Sequence, residues 1–394
     1  MFKKLKKHIL PVFMIIGAAL SLNHERFTAP VFYIGPDPLI ENQPPLYVQE
    51  DASDGMTKSV HSSTAVSLPN GNLLAMWYGG TREGHTDVNI YASVFDRKTQ
   101  KWQKSKPILD RYQVADDLDR YIKKIGNPTL VRHPAGPLVL AYVTVSLAGW
   151  ASSQVNMMVS YDDGQSWHAS KHLVTSPFLN ISTLVKNDMI IYQDGTIGIT
   201  AYHELIGQFS EIIRVNLDGQ VINKYRISSG AETIQPTISV HDKNNAVSYM
   251  RDTSKNVQKV RRSVTSDGGL TWSPYESTKL DNPNSSVFSF IDSKDRSWLI
   301  LNNSIKHVKH ALDNGGHQSR GNLALAVSED QGENWRIVHY FEKAKEKKAT
   351  GKESKYSYPW VTVGDNGEFN LFYTWNRKVI KHIRFNQAWL EERV

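Results

Sequence analysis

A chain of 394 residues, 40% hydrophobic and 22% charged, can bury a large core, either as one large β or repeat domain or as two or three average domains. It has no cysteine, which excludes a disulfide scaffold, cysteine-ligated zinc, iron–sulfur clusters and a cysteine nucleophile. The formal charge is +7, but four of the lysines behind it lie in the first 22 residues, and no basic stripe interleaved with aromatics remains to bind nucleic acid.

Residues 1–22 join a basic start, MFKKLKKH, to an apolar run from Ile9 to Leu22. That run is short for a membrane span, which takes roughly 20 residues. Ala19 and Ser21 are small residues at the two positions a signal peptidase reads. The segment reads as a signal peptide or, left uncleaved, as an N-terminal membrane anchor. Either reading puts the body beyond the cytoplasmic membrane, periplasmic or secreted, with membrane association only through this segment. Residues 23–57 read as an extended lead-in, with a stretch rich in Pro, Asp and Gln.

From residue 58 to 394 one pattern repeats. Short apolar or alternating runs such as NLLAMWYG, PLVLAYVTV, AVSYM, SWLILNN and FNLFYTW are separated by turn signals such as Pro69-Asn70-Gly71, Asp194-Gly195 and Asp365-Asn366-Gly367. These runs predict strands, and no long segment has a 3.6-residue period. Only Asn386–Glu392 predicts a helical turn or two, and residues 343–355 predict a solvated Lys/Glu-rich loop.

Three segments share the form S/T-x-D-x-G-x-x-W: Ser160 to Trp167, Thr265 to Trp272 and Ser328 to Trp335. The hydroxyl and carboxylate can satisfy turn amides, the Gly supplies positive φ, and the Trp plugs the space beside the hairpin. These are Asp-boxes, so Asp162, Asp267 and Asp330 are turn residues. Such hairpins suit four-stranded blades set radially, and residues 58–385 divide into six of about 55 residues. The predicted fold is all-β, a six-bladed propeller, with the last strand near Lys381 to Phe385 closing the ring with N-terminal strands.

The Asp-boxes resemble those of the sialidase (neuraminidase) superfamily, and within it the sialidase-like BNR repeat branch. The surrounding segments extend the likeness: HSSTAVSLPNGNLLAMWYGGTREGHTDVNIYAS, IQPTISV followed by SYMRD, NPNSSVFSF, SRGNLALAVSEDQGENW and YSYPWVTVGDNGEFNLFYTWNR. The resemblance implies an exo-glycosidase acting on sialic acid or another acidic sugar of a glycan, with no cofactor. It implies three arginines around the substrate carboxylate, a Tyr nucleophile with a Glu as its base, and an Asp acid/base. Carried over residue by residue, Asp87 takes the acid/base place, Tyr358 the nucleophile's, and Arg251 and Arg320 the places of two arginines. Two positions depart. His61 stands near the first arginine, and Gln235, before Pro236, stands where the glutamate is expected, which leaves Glu232 as the substitute base.

A Tyr nucleophile suits an anomeric carbon that bears a carboxylate, because a neutral phenol avoids the repulsion a carboxylate nucleophile would meet. Tyr titrates near pH 10 and needs a base in reach, a role Gln cannot fill. Arg251 and Arg320 can hold a carboxylate through bidentate contacts. Arg82 and Glu83 flank the same rim, and His203 and Glu204, with Tyr202, form a polar cluster suited to reading a sugar. A His61 that gains charge at mildly acidic pH is expected to strengthen anion binding there. His307, His310 and His317 fit no metal-ligand spacing, so no metal is expected. Two rival readings remain: a non-catalytic glycan-binding propeller, and a polysaccharide lyase using His and Tyr.

Overall fold

The computed structural model describes residues 29–35, 43–176, 180–230, 232–303, 320–343 and 354–394. Six antiparallel sheets form the blades of a propeller. Blade 1 runs Ser59–Ser67, Leu73–Gly80 and Asn89–Asp96, with Lys101–Trp102 and Lys106–Leu109 outside them. Blade 2 runs Lys124–Arg132, Leu138–Val145, Gln154–Ser160 and Lys171–His172. In blade 3 two short strands, Thr183–Val185 and Ile190–Ile191, share the partner Ile197–His203, followed by Ser210–Val215 and Val221–Arg226.

Blade 4 comprises Thr233–Val240, Ala246–Asp252, Lys259–Thr265 and Glu276–Asp281, and blade 5 Phe288–Ile291, Ser297–Leu301, Asn322–Ser328 and Arg336–Lys343. Blade 6 holds Tyr356–Val363, Phe369–Trp375 and Val379–Phe385, and its outer strand is Tyr47–Asp51, paired with Phe385 to Lys381. The expected ring closure is therefore present. It draws part of the lead-in into the propeller, and Phe32 also bridges to Tyr192.

The first strand of each blade faces the axis and bonds to its neighbours. Leu130 N donates to Thr64 Oγ1 at 2.9 Å, and Trp360 Nε1 to Ala65 O at 3.0 Å. The second strands are nearly all buried, as their continuous apolar runs require: Leu138–Val145 and Leu73–Gly80 have no exposed residue. The Asp-boxes do what their composition predicts. Ser328 Oγ donates to Asp330, Gly332 N donates to Ser328 Oγ at 2.8 Å, and Trp335 Nε1 donates to Gly332 O at 2.9 Å. The hydroxyl and glycine bonds recur around Asp162 and Asp267, and Trp272 Nε1 repeats the third bond to Gly269 O at 3.1 Å, whereas Trp167 Nε1 is buried without a partner.

The C-terminal helix forms at Gln387–Glu391, capped by Asn386, which accepts from Trp389 N. A second helix, Arg111–Leu118, escapes sequence periodicity. It is set by its N-cap, Asp110, whose carboxylate accepts from the amides of Tyr112 and Gln113.

Candidate functional site

The six inner strands carry one repeated irregularity. Ser62, Asn127, Ser182, Gln235, Asn284 and Tyr358 all have φ between 46° and 67°, within or just ahead of the first strand of each blade. In four blades the ladder shifts register at that point: between His61 and Thr64, Gly126 and Thr129, Ile234 and Thr237, and Ser357 and Trp360. Three of these residues precede proline (Asn127-Pro128, Gln235-Pro236, Tyr358-Pro359), which has no N–H to leave unpaired. A left-handed non-glycine residue costs on the order of 1 kcal/mol or more, and a bulge re-aims its side chain. Here the bulges lie at one level around the axis, at the end of the propeller opposite the Asp-box turns.

Tyr358 is the centre of the cluster. Gln235 Nε2 donates to its phenol oxygen at 3.0 Å and to Tyr202 Oη at 3.2 Å. Gln235 Oε1 accepts from Arg251 Nη1 at 3.1 Å, which fixes which end of the amide faces the phenols. The His61 ring lies against Tyr358 with centroids 4.1 Å apart and edge-on to Tyr78 at 5.7 Å. Its Nδ1 bonds Thr374 Oγ1 at 2.9 Å, while its Nε2 is buried without a partner.

Three guanidinium groups surround these rings. Arg251 Nε donates to Asn284 Oδ1 at 2.7 Å, and Arg320 Nη2 to the Asn284 carbonyl at 2.9 Å, so one left-handed residue brackets both. Arg377 sits at positive φ in the hairpin before Val379–Phe385, and its carbonyl accepts from Val60 N at 3.0 Å. Its guanidinium pairs with Glu83. Burial, with Arg251 next to it, brings Arg320 down to about 10. Burial works against Arg377 too, but Tyr78 and Glu83 outweigh it and raise it. Burial, then the charges of Arg377, Arg320, Lys186 and Arg251, hold His61 well below its ordinary value. His61 is therefore a neutral imidazole, against the expectation that mild acid would charge it.

Other sequence-based expectations divide. Asp87 lies on the 81–88 loop at this same end, but its carboxylate is taken up locally. It accepts from Thr81 Oγ1 at 2.6 Å, from Thr81 N and from His85 Nδ1 at 2.7 Å. The Thr81 hydroxyl above all, helped by His85, holds it below the ordinary Asp range. Arg82 is exposed on the same loop.

Glu232 as the base of Tyr358 is corrected. It precedes the strand on the side away from the axis, and its carboxylate lies 3.4 Å from Arg261 Nη2, while Gln235 occupies the phenol. His203 is also turned away from the mouth, because strand alternation puts it opposite Tyr202. It bonds Glu211 at 2.8 Å and stacks on Phe209. Glu204 follows Tyr202 toward the mouth. Burial holds its carboxyl above the usual range, opposed by Arg251 and aided by Glu83. His307, His310 and His317 lie outside the described residues.

Two participants were not anticipated. Arg377 ends a family-like segment, but only its hairpin turn shows that it points inward. Lys186 interrupts the apolar run of blade 3, and a lysine in such a run is itself a signal. A cavity of about 1010 Å³ opens on the other, Asp-box end, beside Pro69, Gly136, Trp360 and Asp365, away from Arg251, Arg320 and Arg377.

A family model described as a BNR repeat-like domain matches residues 71–371. No curated protein matches the chain. Among solved structures, the Hadza microbial sialidase Hz136 superposes with a TM-score of 0.66 at 16% identity, covering 88% of this chain and 69% of that one. The NanB sialidase from Streptococcus pneumoniae does so with a TM-score of 0.64 at 11% identity, covering 90% and 71%. A protein of unknown function from Dyadobacter fermentans gives 0.65 at 10% identity, covering 86% and 97%. At these identities the likeness establishes the fold.

Proposed function

For a chain that belongs to the BNR repeat-like domain family and folds as a sialidase-like propeller, we propose a glycoside hydrolase that removes a terminal acidic sugar, sialic acid or a relative, from a glycan. The observation that carries this reading is the grouping of three guanidinium groups about Tyr358: Arg251 bonds the Gln235 amide that holds the phenol, Arg320 shares Asn284 with Arg251, and Arg320 and Arg377 lie close enough to Tyr358 to feel its charge. Guanidinium forks bind a carboxylate with geometric precision, and buried ones do so in a medium that screens little. A sugar held there by its carboxylate sets its anomeric carbon over Tyr358, the neutral nucleophile that such a carbon tolerates.

Glu204 suits the proton donor better than Asp87. Burial favours its protonated form, whereas Asp87 is ionised and tied to Thr81 and His85. In this reading Asp87 shapes the loop that carries Glu83 to Arg377. The N-terminal segment supports export to the periplasm or medium, cleaved there or retained as an anchor.

Purified protein incubated with fluorogenic sialosides and glucuronides tests the proposal, and release of the fluorophore from one of them is expected. A second reading, β-elimination on a uronic acid, draws on the neutral His61 with its unpartnered Nε2 beside Tyr358. It predicts an unsaturated, ultraviolet-absorbing product, which a hydrolase does not form.

A further inference from the structure

Blade 3 sends a polar tripeptide, Lys186-Asn187-Asp188, into the propeller axis between its two short first strands. Lys186 is 1% exposed. Its ammonium is held by two neutral acceptors, Asn187 Oδ1 at 2.7 Å and Pro359 O at 2.5 Å. Asn187 Nδ2 in turn donates to Gln235 O at 2.9 Å and Pro236 O at 3.0 Å, and its own carbonyl accepts from Thr129 Oγ1 at 2.7 Å. One dipeptide therefore bolts the Tyr358-Pro359 bulge of blade 6 to the Gln235-Pro236 bulge of blade 4. These are the two bulges whose side chains meet at 3.0 Å. Above the bolt, the Lys186 ammonium lies 5.5 Å from the centre of the Tyr358 ring and 5.6 Å from that of Phe288.

Resting on the acidic-sugar reading, we propose that Lys186 is a positioning residue of this pocket: it fixes the bulge that aims Tyr358, and its ammonium supplies a fourth positive charge, beneath Tyr358, that strengthens anion binding. A neutral amine keeps two N–H groups, enough for both acceptors, so losing the charge leaves the bolt intact and weakens only the electrostatics. Burial, opposed by Asp188, pushes Lys186 down to about 7. The titratable groups that face it are Asp188 on its own segment, His61 from blade 1 and Tyr358 from blade 6. Blades 4 and 5 present Gln235, Thr237 and Phe288, which carry no charge. His61 is neutral, so it adds nothing near pH 7. Asp188 accepts from Thr237 Oγ1 at 3.3 Å, and burial raises it to about 7 as well. Its ionisation would weaken anion binding in the same direction as loss of the lysine charge, so the test must separate the two.

The experiment measures binding of D-glucuronate, N-acetylneuraminate and inorganic sulfate to the full chain from pH 6 to 8.5. Lysine resonances of ¹³Cε-labelled protein are followed over the same range. In the wild type, affinity is expected to fall roughly three- to tenfold as pH rises, while one lysine resonance titrates near neutrality. Lys186→Met is expected to lose most of that slope and that resonance. Asp188→Asn retains the slope and moves its midpoint to lower pH, since Asp188 supports the charged lysine. A purely structural lysine predicts weaker binding by the same factor at every pH, with the slope intact, and that result overturns the proposal. So does a slope that persists in Lys186→Met and vanishes in Asp188→Asn, or the absence of any lysine titrating below pH 9. If sulfate binds with the expected slope and neither sugar binds, the acidic-sugar reading falls and the assignment of Lys186 stands.

Discussion

The side-chain amide of Gln235 donates to the phenol oxygen of Tyr358 at 3.0 Å, across the axis from blade 4 to blade 6. The bond orients the phenol, and Arg251 orients the amide from behind. An amide has no capacity to take the proton of a phenol that attacks. The pocket thus holds its nucleophile candidate in place without the base that the family resemblance implies.

Gln235→Glu supplies that base at the same position, with Arg251 at hand as its counter-charge. On the substrate that the screen identifies, the substitution is expected to raise kcat about tenfold or more, since positioned general bases contribute roughly 10²–10⁴-fold. KM should change less. Steady-state kinetics of wild type and variant check it, and a fall in kcat would show that Gln235 serves the reaction as an amide.

Arg377 is expected to bind the substrate anion together with Arg251 and Arg320. Arg377→Ala should raise KM by roughly 10–100-fold, the loss of one charge-assisted contact. Glu83 competes for the same guanidinium, so Glu83→Gln should lower KM. Opposite shifts of KM in the two variants are the signature, and parallel shifts would contradict it.

The neutrality of His61 has two consequences with a definite sign. Its folded value lies well below its unfolded one of about 6.5. Between the two the unfolded chain binds more protons, so stability is complete above pH 6.5 and is lost as pH falls below it. His61→Gln should remove that part of the acid sensitivity, up to roughly 1 kcal/mol per pH unit, in urea unfolding at pH 5 and pH 7. Anion affinity should show no step that His61→Gln abolishes between pH 5 and 6.5.

The Asp-box turn of blade 5 gives a stability prediction independent of the pocket. Gly332 has φ 89°, and a Cβ there would stand 2.0 Å from the Tyr249 hydroxyl. Gly332→Ala therefore combines backbone strain with a clash against a buried ring, and should cost about 2–4 kcal/mol. Thermal unfolding should show a Tm lower by several degrees, with residual binding unchanged below the transition.

The blades were legible because their signals are local: apolar runs of strand length, turn dipeptides, and Asp-boxes whose hydroxyl bonds both the carboxylate and the glycine amide of its own turn. Arg251, Arg320, Tyr358 and Gln235 were legible from family-like segments. Glu232 was misread because three residues of sequence separation cannot reveal a bulge. The left-handed Gln235 turns its own side chain to the phenol and leaves Glu232 beside Arg261. Arg377 and Lys186 act through long-range placement. One reaches the pocket from a hairpin of the last blade, the other from the axis of the third; a lysine inside an apolar run marks Lys186 as unusual, but no local pattern says where either side chain goes.

The central claim is that the mouth framed by Arg251, Arg320 and Arg377 holds an acidic sugar over Tyr358. The most direct measurement is calorimetric titration of N-acetylneuraminate and D-glucuronate, each beside its neutral carboxamide, into wild type and Arg320→Met. The account predicts that the wild type binds an acid at least tenfold more tightly than its amide, and that Arg320→Met erases the difference. Equal affinity for acid and amide, or a preference for the acid that survives in Arg320→Met, would contradict it.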